Sequence, residues 1–248
     1  MEEFRAVLVV DAEKFSAHRD AELPDVHLEI RRALTAAFEA SGLGETWQKA
    51  RFVESTGDGI LAVLPQEAVP ALVAPFARLL QDELAASAPG LRARGLRLRL
   101  RAALHVGLVD DERAAAPAIS TAVIDACRLL DSWPLRDALD HSDPEVTFAA
   151  FAFSRELFTA YVEGGRTALR ASQVTEVEAK VKQYAKPAYL YVPVPSGRGR
   201  PDGGEKPADP APPPPASGTS ISGITISGDD SQNAFGNTVG GDFRQERS

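Results

Sequence analysis

The stretch FVESTGDGILAVLP, residues 52–65, sets a Gly-Asp-Gly between two apolar runs. Asp-Gly between such runs reads as a tight hairpin, because these residues accept the positive φ that short turns need. The pattern predicts one strand over RFVEST and another over GILAVLP, with Asp58 at their junction. Asp58 is then either a turn residue or a metal ligand at a hairpin tip, and the two readings describe different proteins.

Upstream, RAVLVVD has a buried-strand pattern and ends on Asp11. Between it and the hairpin, DVHLEIRRALTAAFEASG has helical spacing through Val26, Ile30, Ala33, Leu34, Ala37 and Phe38, with Gly42 as the stop. Downstream, EAVPALVAPFARLLQDELAAS reads as a second helix, with Pro70 near its start and a kink expected at Pro75. LRLRLRAALHVGLV first alternates, with Leu96, Leu98 and Leu100 on one face and arginines opposite. It then turns apolar on both faces, as a strand entering a sheet centre does. AISTAVIDACRLLDS is helical, PLRDALD adds a further turn or two, and VTFAAFAFS and PAYLYVPV are late strands. This order suggests an α+β sandwich with helices on one sheet face.

Charge and composition narrow the function. The 248 residues carry a net charge of -8, which argues against a nonspecific nucleic-acid binder and against attraction to anionic membranes. Hydrophobic residues make up 44% of the chain, enough to build a core. The only cysteine is Cys127, which leaves no internal disulfide and no Cys-rich zinc site. The longest apolar runs are strand-sized, so no transmembrane helix is expected. MEEFRAVLVVDAEKF is acidic before a short apolar run, unlike a secretory signal, and a cytoplasmic location is expected.

Composition breaks near Val194. Residues 1–193 read as the globular domain, 194–218 as a linker rich in Pro and Gly, and 219–248 as a polar tail rich in Gly and Asn. The Pro213–Pro215 run favours polyproline II geometry. In the tail, Ile221, Ile224, Ile226, Phe235 and Val239 are apolar points in a β-prone segment, and Asp229, Asp230 and Asp242 guard against uncontrolled stacking. Such a segment suits strand addition to a protein partner. It resembles the short amyloid-signalling motifs that bacterial conflict proteins carry beside their effectors.

Asp11 and Asp58 stand at strand ends. Paired carboxylates there are either common turn acids or a Mg²⁺ site completed by phosphate oxygens. The neighbouring residues add a resemblance. VVDAEKFS and FVESTGDGILAVL are similar to the two metal-binding segments of class III nucleotidyl (adenylyl/guanylyl) cyclases. LRAALHVG resembles their hydrophobic-Arg-x-Gly-x-His-x-Gly strand, with Ala103 where the first Gly is usual. IDACRLLDS resembles the helix bearing Asn-x-Ala-x-Arg-Leu, and VKQYAKPAYLYVPV resembles their closing strand. The five segments fall in family order over roughly residues 4–193.

The resemblance implies a ferredoxin-like βαββαβ core with extra elements, its helices packed on one mixed or antiparallel sheet. It also implies a head-to-tail homodimer with active sites at the interface. Asp11 and Asp58 match the metal-binding aspartates, for Mg²⁺ or Mn²⁺. Glu54 matches the base-reading position, where a Glu suits guanine. Arg128 matches the catalytic arginine, and Lys182 falls near the phosphate-reading lysine. The backbone of Ala12 to Phe15 would face the phosphates of a nucleoside triphosphate.

The departures are specific. The catalytic Asn position is Ile124, whose side chain makes no hydrogen bond to a ribose. Asp125 is one place away, about 100° around the helix, and faces elsewhere. The Gly before this helix is Ser120, and the second base-reading residue falls close to Pro117. His105 reads as a hydrogen-bonded core or near-surface histidine, and Ser154 as a helix N-cap. The expectation is a nucleotide-binding cyclase homologue, weak or inactive as a phosphorus–oxygen lyase, acting in signalling or defence. The alternatives are an active guanylyl or pyrimidine cyclase, and a non-catalytic dimerisation scaffold.

Overall fold

The computed structural model describes residues 2–50, 52–112, 115, 117–181 and 184–197. Lys182, most of the 194–218 linker and the whole 219–248 tail lie outside the described residues.

β1 (Glu3–Ala12) leads into α1 (Leu23–Ala40) and α2 (Gly44–Gln48), then the hairpin of β2 (Phe52–Ser55) and β3 (Gly59–Pro65). The expected second helix is broken. α3 (Val69–Ala71) and a wide turn over Leu72–Phe76 precede α4 (Ala77–Ala93), and the irregular backbone sits at Ala74 beside Pro75, as the proline predicts. β4 (Leu100–Val109), α5 (Thr121–Leu130), α6 (Trp133–Asp140) and β5 (Ala149–Ser154) follow. A helical segment opens with α7 (Arg155–Leu157), where Ser154 caps the Leu157 N–H at 3.3 Å. β6 (Thr175–Val181) and β7 (Tyr184–Tyr191) close the fold.

The seven strands lie in the order β2-β3-β1-β4-β5-β7-β6. The first four pair antiparallel with β1 between β3 and β4, as a ferredoxin-like βαββαβ unit requires. β4 and β5 are parallel, and β7 and β6 extend the sheet antiparallel, so the sheet is mixed.

Helices cover both faces, where the sequence pattern suggested one. Leu8, Val10, Leu104 and Phe151 face Ile30, Leu34 and Phe38 of α1 and Leu80 and Leu84 of α4. The alternate residues Val7, Val9, Ala103 and Ala152 face Ala122, Ala126 and Leu129 of α5 and Leu135 and Leu139 of α6. Two covered faces explain why β1 and β5 read as unbroken apolar runs instead of alternating. The helical face predicted for α1 is the buried one, and Gly42 adopts φ +77° just past its end.

Candidate functional site

The sheet presents the predicted residues at two separate places. The first is built by register. Asp11 lies opposite Gly59 on β3 and opposite Arg101 on β4. The Ala12 N–H donates to the Asp58 carbonyl at 2.9 Å, which seats the hairpin tip against the end of β1. Gly59 is required there: a Cβ would lie 1.9 Å from the Val10 carbonyl oxygen. Gly57, at φ +94°, turns the chain. Asp58 is exposed, with no ion pair or hydrogen bond to its side chain among the described residues. Glu54 is exposed on the edge strand β2, paired with Leu61, which pairs in turn with Val9. Directly paired residues share a face, so Glu54 stands on the same face as Asp11, two residues away along β1.

Asp11 itself is buried, and Arg101 grips it with both arms. Nε donates to Oδ1 at 2.9 Å and Nη2 to Oδ2 at 2.6 Å. The Asp11 carboxyl is pushed up to about 6: burial raises it most, the Arg101 guanidinium opposes the rise, and the nearby Asp58 charge adds to it. In the sequence Arg101 is one arginine of an alternating series and the arginine of the LRAALHVG motif, with nothing to mark it as a partner of Asp11. Its position opposite Asp11 depends on the β1–β4 register, which no local pattern encodes.

Residues after Asp11 are held by a second missed arginine. Arg99, just before β4, is buried and donates to the carbonyls of Thr147 and Leu139, to Glu13 at 2.9 Å and to Ser142. Its own carbonyl accepts from the Glu13 N–H at 2.9 Å. The Ala12 and Glu13 amides are therefore engaged inside the fold. Of the Ala12–Phe15 backbone expected to meet phosphates, these two N–H groups already have partners.

The second place is α5 and the start of β7. Ser120 is the N-cap, accepting the Val123 N–H at 3.3 Å. Ile124 is 47% exposed. One turn on, the Arg128 side chain is 48% exposed, 3.7 Å from the Asp125 carboxylate and 5.6 Å from the centre of the Tyr184 ring. Asp125 does face away from Ile124: it is buried and accepts from Lys186 Nζ at 2.7 Å. Pro117 is exposed in the turn before the helix.

His105 lies nearby, nine-tenths buried, with its Nδ1 lacking a hydrogen bond and 3.7 Å from Glu156. Burial holds its pKa below the ordinary histidine range, against the pull of Glu156 and Asp125. The sequence places His105 correctly in β4, but the hydrogen bond expected of it is missing at Nδ1, because Glu156 stays 3.7 Å away.

Known folds identify this arrangement. The adenylyl cyclase CyaB from P. aeruginosa superposes with a TM-score of 0.52 at 14% identity, over 80% of this chain and 97% of that one. An adenylate cyclase structure from Trypanosoma brucei, in its monomeric state, gives 0.50 at 16%, over 78% and 91%. The chain has the class III nucleotidyl cyclase fold. No protein-family model matches it, and no curated protein matches its sequence. At such identities the likeness carries the fold alone. Within this cyclase fold, Asp11, Asp58 and Glu54 gather at one place and Arg128 at another, while Lys182 lies outside the described residues. No helix among the described residues is long and apolar enough to cross a membrane.

The donor set was tested against a divalent cation. Among the described residues no group of three or more His, Cys, Asp or Glu side chains could hold a metal ion. Two carboxylates suffice for Mg²⁺ when phosphate and water supply the remaining oxygens. Asp58 is open to such an ion. Asp11 fits in kind, on condition that Arg101 releases at least one of its oxygens.

Proposed function

We propose that this protein binds a nucleoside triphosphate with Mg²⁺ or Mn²⁺ as a homodimer, and that it cyclises the nucleotide slowly or not at all. Its role is then that of a nucleotide-responsive signalling component whose C-terminal tail engages a protein partner, with a net charge of -8 that disfavours nucleic acid and anionic membranes. The observation that carries this reading is the pairing of Asp11 with the Asp58-bearing hairpin, while α5 presents the apolar Ile124 beside Arg128.

A cation held by Asp11 and Asp58 would polarise a hydroxyl and steady the phosphates. Glu54 accepts hydrogen bonds from a base edge on the same sheet face. Arg128, with its guanidinium half exposed, meets developing phosphate charge supplied across the dimer. Ile124 gives no hydrogen bond to orient a ribose hydroxyl, and loss of such a positioning group costs on the order of a hundredfold or more in rate.

A second reading, a non-catalytic dimerisation scaffold, is favoured by the bidentate Arg101–Asp11 pair. That pair neutralises the buried carboxylate without any metal. The test is to incubate the full chain with Mn²⁺ or Mg²⁺ and each of the four nucleoside triphosphates. Melting temperature and mass spectrometry of products are then read together. The lead reading expects a raised melting temperature and little cyclic product. A cyclic product lost on Asp58→Ala establishes an active cyclase, and no shift with any nucleotide leaves the scaffold.

A further inference from the structure

The root of the C-terminal linker is tied into the domain just before β5. Thr147 is fully buried, and its hydroxyl donates to the Val194 carbonyl at 2.6 Å. Its one proton is then taken, so the Ser196 hydroxyl, 2.7 Å away, donates to it. Ser196 also accepts the Asp143 N–H at 2.9 Å. Val194 and Ser196 are partly buried between the exposed Pro195 and Gly197, so these bonds fasten the last described residues to the fold.

The same Thr147 reaches the candidate site through Arg99. Its carbonyl accepts from Arg99 Nε at 2.9 Å. Arg99 Nη1 donates to Glu13 at 2.9 Å, and the Arg99 carbonyl accepts the Glu13 N–H at 2.9 Å. One residue thus grips Glu13 by side chain and backbone, while its other arm is on Leu139 and Ser142. Arg99 is 6% exposed, and a planar fork engaged on three sides has little freedom to turn.

Beside Glu13 the chain takes a conformation that has to be held. Lys14 has φ +56° and ψ +33°. This left-handed region crowds a side chain, and a lysine stays there only where its surroundings impose it. On one side stands the Arg99 grip on Glu13. On the other, the Ala17 N–H donates to the Lys14 carbonyl and the His18 N–H to the Phe15 carbonyl. Lys14 Nζ lies 3.3 Å from Glu13 and 3.5 Å from Asp140. Once Glu13 is released, Lys14 can return to an ordinary φ, which gives the segment two discrete arrangements.

We propose that Arg99 is a positioning residue that ties the segment after Asp11 to the root of the C-terminal linker. Loss of the bonds from Val194 and Ser196 frees Thr147, loosens the Arg99 grip on Glu13 and lets Lys14 leave its left-handed turn. The Ala12–Phe15 segment is the one expected to face a triphosphate, so the coupling runs both ways. Whatever detaches the linker root weakens nucleotide binding, and bound nucleotide holds the root in place. The identity of that ligand rests on the nucleotide-binding reading.

The experiment is hydrogen–deuterium exchange of the full chain, read peptide by peptide, alongside calorimetric titration with Mn²⁺ and each of the four nucleoside triphosphates. Exchange over residues 12–18 is expected to rise about threefold in Ser196→Ala and about fivefold in Thr147→Val. Both variants are expected to weaken the nucleotide that binds by about threefold. The double variant should do little more than Thr147→Val, because both changes break the same link. Ser87→Ala removes a comparable hydroxyl bond, 3.0 Å to the Leu84 carbonyl on α4, and is expected to change neither reading. Ser196 sits at the end of the described domain, so its variant carries the test even where Thr147→Val fails to fold.

Unchanged exchange over residues 12–18 in Ser196→Ala overturns the inference and leaves nucleotide binding standing. Faster exchange spread evenly over the domain overturns it too, since that is general loosening. Faster exchange confined to residues 12–18, with no triphosphate bound by wild type, upholds the positioning role of Arg99 and removes the nucleotide reading. Faster exchange there with nucleotide affinity unchanged overturns the coupling.

Discussion

The two clusters on this sheet solve opposite electrostatic problems. Around Asp11 the chain has buried a negative charge and neutralised it internally, with the Arg101 guanidinium on both carboxylate oxygens. Around Asp125 it has also buried a negative charge, but the two neutralising cations reach solvent. The first arrangement is closed and self-sufficient. The second leaves two cations open to solvent, one turn from the exposed apolar Ile124. One sheet can thus hold two buried carboxylates in opposite ways, one closed off and the other with its cationic partners in solvent.

The largest expected effect separates the two halves by their backbones. Gly59→Ala drives a methyl into the Val10 carbonyl, a backbone clash that side-chain movement does not relieve. It should cost about 4 kcal/mol and lower the melting temperature by roughly 10 °C. Gly107→Ala, under α5, meets the Ala122 methyl at 2.7 Å and the His105 Nε2 at 3.4 Å, with no backbone closer than 3.8 Å. It should cost about 1–2 kcal/mol, because the helix can shift slightly. Equal losses in thermal melts of the two variants would break the contrast.

Next comes Arg101→Met. It leaves the Asp11 carboxylate buried without its partner, at a cost of about 3 kcal/mol at pH 7.5. The Asp11 pKa is already raised to about 6 in the folded chain, and loss of the guanidinium raises it further. A raised folded pKa gives stability that is full below the unfolded value and lost as pH rises through the folded one. The variant should therefore recover stability toward pH 5, measured by denaturant titration. It should also bind Mn²⁺ more tightly than wild type, because Asp11 is released.

Ile124→Asn probes the open half. If the apolar side chain is what limits chemistry, this change raises cyclic-nucleotide formation about a hundredfold above wild type. An unchanged product level would place the limit at the closed half instead.

The smallest effect concerns His105. Its pKa is held low by burial, so it contributes stability above the unfolded value that is lost as pH falls below about 6.5. His105→Gln should flatten the stability profile between pH 7 and pH 5, measured by denaturant titration. Parallel curves for the two proteins would argue against this.

Much of this was legible in the chain. Alternation, helical spacing and the Gly-Asp-Gly turn located α1, the hairpin and the strand ends, because those signals are local. Every apolar residue predicted for the inner face of α1 is buried, and Glu29 joins them. β6 escaped notice because TEVEAKV is charged and exposed at a sheet edge, where periodicity is weak. Arg99, Arg101 and Lys186 escaped for another reason. Their roles are set by which strand lies beside which, and a one-residue slip in register would send each to the other face. Asp125 was placed correctly as turned away from Ile124, but that it holds two cations depends on β7, some sixty positions later.

The ends of the sheet carry one more consequence. Its free edges are β2 and β6. β2 spans four residues and carries the exposed Glu54, and β6 shows Glu176, Glu178 and Lys180 to solvent. Short or charged edges resist the addition of a further strand. The domain is thereby guarded against edge-to-edge growth, by brevity at one end of the sheet and by charge at the other.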